Sequence, residues 1–238
     1  MGNSKPYIGV IIPAGGSGTR MGGVYKPLEE LCLKPMLFYS LDTFQKCDEV
    51  AFIVIAARED KIRDIERICN IGGYTKVKKV VAGGNERQES VENAFNCGLF
   101  ENDSVSHVAV HDAARPLFTP DMAMKVFDMA LEKGNAVCAC RVRDTVKRTD
   151  ERNVVKDGVD RDGLWLVQTP QVFEKKMYSD ALEKAKKEGV VATDDSSLVI
   201  ANGVEVNLCE TPSYNIKITY PEDKFLAEAI LNMGGESQ

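Results

Sequence analysis

The chain has 238 residues, 44% of them hydrophobic, and a formal net charge of −6 at pH 7. This suits one sizeable α/β domain with a large core. No apolar run reaches membrane-spanning length, residues 1–6 lack the apolar core of a secretion signal, and the acidic balance weighs against non-specific nucleic-acid binding. The expectation is a cytoplasmic protein with neither membrane nor nucleic acid as partner.

In chain order, the apolar, partly β-branched run from Tyr7 to Ile12 reads as a strand, followed at once by a glycine-rich turn that carries Arg20 and Lys26. A helix is expected near 36–46, a strand near 50–56, a helix near 60–69 and a strand near 77–81. A Gly83-Gly84 turn then leads to a helix near 87–99. A strand near 107–111 follows, then a helix near 120–133 entered through Thr119-Pro120, a cap and first-turn signal, and a strand near 136–142. Alternating strands and helices favour a mostly parallel sheet flanked by helices, with ligands beyond the carboxyl ends of the strands. The loops at 13–26, 83–90 and 111–116 all fall there.

Residues 143–168 break the rhythm. They are polar and charged, with Asp157-Gly158 as a turn signal and a return through Trp165 to Gln168. Such a hairpin cannot form a core alone; it is either a loose surface excursion or an arm that orders against another subunit. The seven cysteines contain no C-x-x-C pair and read as reduced core thiols, and two histidines leave no room for a histidine-rich metal site.

The first loop decides the chemistry. Glycines let backbone amides close around an anion, and two cations make the turn suited to a polyphosphate. A dinucleotide fingerprint starting at Gly16 and Gly18 would need its third glycine at Met21, and Lys26-Pro27 does not complete a P-loop. What remains is a G-G-x-G-x-R-M-G loop with Lys-Pro beyond it, which resembles the loop of sugar-nucleotide pyrophosphorylases and related nucleotidyltransferases.

Further along, the segments PAGGSGTRMG (13–22), GGNERQESV (83–91), VHDAARP (110–116), DTVKR (144–148), VDRDGLW (159–165), QTPQVF (168–173), TDD (193–195) and NIKITYPED (215–223) stand in an order and spacing that resemble the 2-C-methyl-D-erythritol 4-phosphate cytidylyltransferases over nearly the whole chain. Gly15 stands where that family's loop usually has alanine, as in related pentitol-phosphate cytidylyltransferases. A pentitol 5-phosphate such as ribitol 5-phosphate is therefore the alternative acceptor, and a catalytically silent nucleotide-binding protein is the alternative of another class.

The resemblance implies a Rossmann-like single domain (1–238) with a protruding β-arm at 143–168, which dimerises two copies. It implies CTP and a sugar-alcohol phosphate as substrates, and Mg²⁺ as cofactor. Arg20, Lys26, Arg161 and Lys217 would be catalytic. CTP would be held by Pro13, Ala14, Gly15, Gly16, Gly18, Arg20, Lys26, Gly84, Asn85, Ser90, Asp112 and Ala113. Thr145, Arg161, Thr169, Thr193 and Lys217 would bind the acceptor, with Thr145 and Arg161 reaching the neighbouring subunit's site.

Several residues have a second reading. Ser90 is a base contact or a helix cap; Asp112 a ribose or Mg²⁺ ligand, directly or through water, or the ion-pair partner of Arg115. Arg87 is a ligand contact or a loop brace. His111 reads as structural, and Asp194 and Asp195 as caps of the next helix.

Overall fold

The computed structural model describes residues 7–16 and 25–235. The main sheet has seven strands: β1 (Tyr7–Ala14), β4 (Val50–Ala57), β5 (Val77–Ala82), β6 (Val105–Val110), β7 (Asn135–Arg141), β10 (Trp165–Glu174) and β11 (Leu208–Glu210). Their spatial order is β11-β7-β10-β6-β1-β4-β5. All pairings are parallel except those of β10, which runs antiparallel to both β6 and β7. Among the described residues two small antiparallel pairs lie outside that sheet: β2 (Glu30–Leu31) with β3 (Lys34–Pro35), and β8 (Val146–Thr149) with β9 (Val155–Val159).

Why β1 and β4 read as unbroken apolar runs is plain from their surroundings. Ile8, Val10 and Ile12 of β1, with Ile53, Ile55 and Ala57 of β4, pack on one face of the sheet; Ile11, Phe52, Val54 and Ala56 pack on the other. A central parallel strand covered on both sides has no polar face to show. The first face is covered by α1 (Met36–Lys46), α2 (Ile62–Ile71) and α4 (Pro120–Lys133), the second by α3 (Arg87–Phe95), α5 (Lys175–Glu188) and α6 (Asp195–Ala201). A third cluster, Leu31, Met36, Leu117, Ile218 and Ala227, lies beneath α7 (Pro221–Gly235). Among the described residues no helix is long and apolar enough to cross a membrane.

The five strands and four helices expected up to residue 142 are present, with boundary shifts. The third helix stops at Phe95 instead of 99, because the chain turns at Asn96 and passes through Gly98 at φ +93. The stretch near 60 begins as a 3₁₀ turn, Glu59–Lys61, before α2. Thr119 does cap α4, its side chain accepting from the Met122 N–H. Asp157-Gly158 is not the turn of the polar hairpin: both residues lie in β9, paired with Arg148 and Lys147. The reversal comes at Asp150–Asn153, where the Asp150 carboxylate accepts from the N–H groups of Arg152 and Val154 and Asn153 takes φ +60. All seven cysteines are free, five buried, one half-buried and Cys32 exposed.

The chain leaves β1 for β4 and β5 on one side, then returns to place β6 on the other. The crevice beyond the carboxyl ends of β1 and β6 is thus a topological switch point, where open α/β sheets bind ligands.

Candidate active site

Two cavities open at that crevice. The first, about 410 Å³, is lined by Pro13 and Ala14 at the end of β1, Gly15 and Gly16 beyond it, Lys26, Gly84 to Arg87 after β5, Ser90, Asp112 to Ala114 after β6, and Lys217. The second, about 490 Å³, takes Gln168, Thr169 and Gln171 from β10, and Thr193 with Asp194 from the start of α6. Arg87, Asp112 and Lys217 line both. The expected nucleotide and acceptor residues therefore gather in adjoining spaces, with two exceptions. Arg20 and Gly18 lie outside the described residues. Thr145 and Arg161 line neither cavity: Thr145 is exposed, and Arg161 donates to the Arg143 carbonyl beside a separate hollow at the base of the hairpin.

Beyond β5 the backbone must pass close to α3. A Cβ on Gly84 would stand 2.3 Å from the Glu89 Cβ, and one on Gly83 would stand 2.9 Å from the Ser90 Oγ, so both positions exclude larger residues. Ser90 is not the helix cap. Glu86 and Glu89 form the capping box, while the Ser90 hydroxyl accepts from the Gly84 N–H at 3.0 Å and donates to the Glu86 carbonyl. A Cβ on Gly15 would meet the same Ser90 Oγ at 3.4 Å, ordinary contact. Gly15 thus belongs to the first cavity and says nothing about what the second one holds.

Asp112 is the electrostatic centre. Its carboxylate meets Lys217 Nζ at 2.9 Å, Arg87 Nε at 3.0 Å and, more distantly, Arg115 Nε at 3.8 Å. The pairing expected with Arg115 exists but is the weakest of the three. Burial opposes the charge on Asp112, yet Arg87, Lys217 and Arg115 together hold its pKa well below the usual carboxylate range. Arg87 also reaches Asp195 at 2.7 Å. Burial alone would lower its pKa, but Asp195 and Asp112 outweigh that and raise it. Arg87 is therefore a brace between the loop after β5 and the start of α6.

The sequence marks Asp195 only as a cap, and the structure corrects this. Asp194 is the cap, accepting from the Ser197 N–H; Asp195 is buried, pairs with Arg87 and accepts from the Tyr178 hydroxyl at 2.7 Å. No sequence spacing marks that role, because Arg87 and Asp195 meet only through the fold.

Lys217 is held by a buried polar clamp. Asn215 donates to the Gln168 side-chain oxygen at 3.0 Å and the Thr169 carbonyl at 3.1 Å, Arg115 donates to the Asn215 carbonyl at 2.7 Å, and the Ile218 N–H reaches the Ala114 carbonyl. Lys26 donates to the carbonyls of Ile218 and Thr219 at 3.2 and 3.4 Å, which brings a second cation to the same wall. The Thr169 hydroxyl is already engaged, accepting from the Asp112 N–H at 3.0 Å and lying 3.3 Å from His111 Nδ1. His111 is fully buried against Phe44 and Phe118, with Ser40 at 3.1 Å from Nε2. Burial drives its pKa down to about 3, so it is neutral near pH 7 and braces Thr169 rather than carrying charge.

Among the described residues no cluster of three or more His, Cys, Asp or Glu side chains could hold a metal. Asp112 is the one carboxylate in both cavities' shared wall, so the donor set fits a divalent cation that arrives chelated by phosphate oxygens, and not one caged by the protein.

This arrangement of cations at a switch point suits the joining of two phosphates, and comparison with known proteins agrees. Residues 8–233 match the family described as 2-C-methyl-D-erythritol 4-phosphate cytidylyltransferase. Proteins of that name from Halalkalibacterium halodurans and Alkaliphilus metalliredigens are each 40% identical, over 93% and 94% of this chain and 96% and 92% of theirs. The crystal structure of the Thermus thermophilus 2-C-methyl-D-erythritol 4-phosphate cytidylyltransferase superposes with a TM-score of 0.77 at 30% identity, covering 95% of this chain and 99% of that one. The 4-diphosphocytidyl-2C-methyl-D-erythritol synthase of Anaerococcus prevotii gives 0.82 at 27% identity, covering 96% and 100%. The chain belongs to the 2-C-methyl-D-erythritol 4-phosphate cytidylyltransferase family.

Proposed function

We infer that this protein transfers the cytidylyl group of CTP to 2-C-methyl-D-erythritol 4-phosphate, releasing pyrophosphate and forming 4-diphosphocytidyl-2-C-methyl-D-erythritol, a step of isoprenoid precursor synthesis. The observation that carries this reading is the meeting of two cavities at Asp112, Arg87 and Lys217 in a chain of this family. The first cavity takes the nucleotide, its base against the backbone of Pro13 to Gly15 and of Gly84 and Asn85, and its phosphates toward Lys26; the family resemblance assigns Arg20 to the same phosphates. The second takes the acceptor, with Thr193 offering a hydroxyl contact and Thr169 acting as a brace.

The acceptor phosphate has a second pKa of about 6, so at neutral pH it is largely dianionic and needs no general base. One of its oxygens forms a bond to the α-phosphorus of CTP as the bond from that phosphorus to the bridging oxygen of pyrophosphate breaks. Negative charge gathers on the α-phosphoryl oxygens and on the departing pyrophosphate. Lys217, in the wall shared by both cavities, and Lys26 beside it supply fixed positive charge there. Mg²⁺, carried by the triphosphate with Asp112 within reach, would neutralise part of the triphosphate's charge. His111 stays neutral and holds Thr169, and through it the Asp112 backbone, in place.

Thr145 and Arg161 stand on a hairpin with few anchors in its own chain. We assign them to the acceptor site of a second copy, in a homodimer joined through residues 143–168. The setting is the cytoplasm. The deciding assay is pyrophosphate release: it should appear when CTP, Mg²⁺ and 2-C-methyl-D-erythritol 4-phosphate are combined, and not when any one is withheld. Equal turnover with ribitol 5-phosphate would move the acceptor to the pentitol class, and no turnover would leave a silent nucleotide-binding protein.

A further inference from the structure

The second cavity is polar on nearly all sides, with Arg87, Asp112, Arg115, Gln168, Thr193 and Lys217 among the groups that present charge or hydrogen-bonding atoms. Two residues depart from this pattern: Val167 on β10 and Ile200 on α6. Both are large, branched and apolar, and both are left open, Val167 at 43% exposure and Ile200 at 57%.

Neither is needed for the core. On β10 the buried apolar positions are Val172 and Phe173; on α6 they are Leu198 and Val199. The fold thus puts two aliphatic side chains, one from a strand and one from a helix, on the wall of a cavity whose other groups suit a phosphate and hydroxyls.

We propose that Val167 and Ile200 form an apolar wall for the branching C-methyl group of the acceptor, and so determine its choice over unbranched polyol phosphates. The inference rests on the reading of the second cavity as the acceptor site. A linear polyol phosphate offers only hydroxyls, hydrogens on its chain and its phosphate, all of which the polar residues could meet. A methyl branch is the one part of the acceptor that no hydrogen-bonding residue can reward, and an aliphatic surface gains from covering it. The effect has a ceiling: one methyl-sized difference in a hydrophobic pocket discriminates by about 10- to 200-fold, and a half-open wall belongs at the low end. The acceptor alternative left open by Gly15 is then settled in this cavity, by residues remote in sequence from the glycine loop.

The test compares two acceptors differing only in that methyl, 2-C-methyl-D-erythritol 4-phosphate and D-erythritol 4-phosphate, each at saturating CTP and Mg²⁺. The wild-type protein should favour the methylated acceptor in kcat/KM by about 10-fold. Val167→Thr keeps the branched shape and Ile200→Thr shortens it, both adding a hydroxyl; the double variant should bring the ratio down to about 2-fold or less. The ratio cancels any general loss of folded or active protein. A ratio that stays at the wild-type value overturns the proposal, including the case in which both acceptors fall together. Thr193→Val separates the underlying reading. It should raise KM for both acceptors and leave KM for CTP alone; if neither acceptor KM moves, the cavity is not the acceptor site and both readings fall.

Discussion

The switch-point cluster and the hairpin are both rich in cations, yet they hold them in opposite ways. Arg87, Arg115 and Lys217 converge on a carboxylate that is almost fully buried, and backbone carbonyls and side-chain amides fix the segments that bear them. The pairs on the hairpin, such as Arg148 with Asp157 and Arg152 with Asp150, are mostly solvent-exposed. Buried ion pairs with satisfied partners resist separation, whereas exposed ones contribute about 0–1 kcal/mol. The cluster is preorganised by buried contacts; the hairpin is held by its own β8–β9 ladder and by exposed pairs. The same residue type thus has a different setting in each place: Lys217 lines both cavities of its own chain, and Arg161 lines neither.

The sharpest way to break this comparison is to remove one cation from each region. Lys217→Met and Arg161→Gln should each lower turnover by on the order of 10²-fold or more, the loss expected for one charge stabiliser. If the hairpin serves a second copy, mixing the two variants should restore activity. A mixed dimer then has one site with both lesions and one with neither. Random mixing makes about half the dimers mixed, so roughly a quarter of wild-type turnover should return. Demonstrated subunit exchange without recovery would place Arg161 in its own subunit's site.

Stability should divide the regions as well. Asp112→Asn leaves Arg87, Arg115 and Lys217 facing a neutral group and should cost about 3–5 kcal/mol in denaturant unfolding, as breaking a buried pair does. Arg161→Gln should stay within about 0.5 kcal/mol, as surface substitutions do. Comparable losses in the two variants would show that the hairpin is as firmly built as the cluster.

How much of this was legible in the sequence follows the same division. The central strands announce themselves because burial on both faces demands continuous apolar runs, and Thr119-Pro120 marks a helix start by local chemistry alone. The cavity-lining loops were legible because glycine and charge cluster after strands. The strand β10 was not, since Gln168, Thr169 and Gln171 are buried by hydrogen bonding to distant partners and no local pattern shows that. The helix α5 did carry a signal: Tyr178, Ala181, Leu182 and Ala185 recur at helical spacing and are its buried face. The Arg87–Asp195 pair had none, because ion pairs across 108 positions leave no periodicity.

The smallest effect tests the brace beneath the cluster. His111 is enclosed by Phe44, Phe118, Ser40 and Thr169, and burial lowers its pKa to about 3 against about 6.5 for an exposed histidine. Between these values the unfolded chain binds a proton at this position and the folded chain does not. Stability from His111 is therefore complete above about pH 6.5 and is lost as pH falls toward 3, with a slope of at most about 1.4 kcal/mol per pH unit. His107, whose pKa is also lowered by burial, slopes the same way, so the wild-type curve alone cannot isolate one residue. The difference between wild type and His111→Gln can. The variant should be less stable at pH 7, because it loses the ring packing, and its stability should fall less steeply between pH 6 and pH 4. Its deficit should therefore narrow as the solution is acidified. Parallel curves across that range would mean that His111 titrates alike in both states and does not stand neutral beneath Thr169.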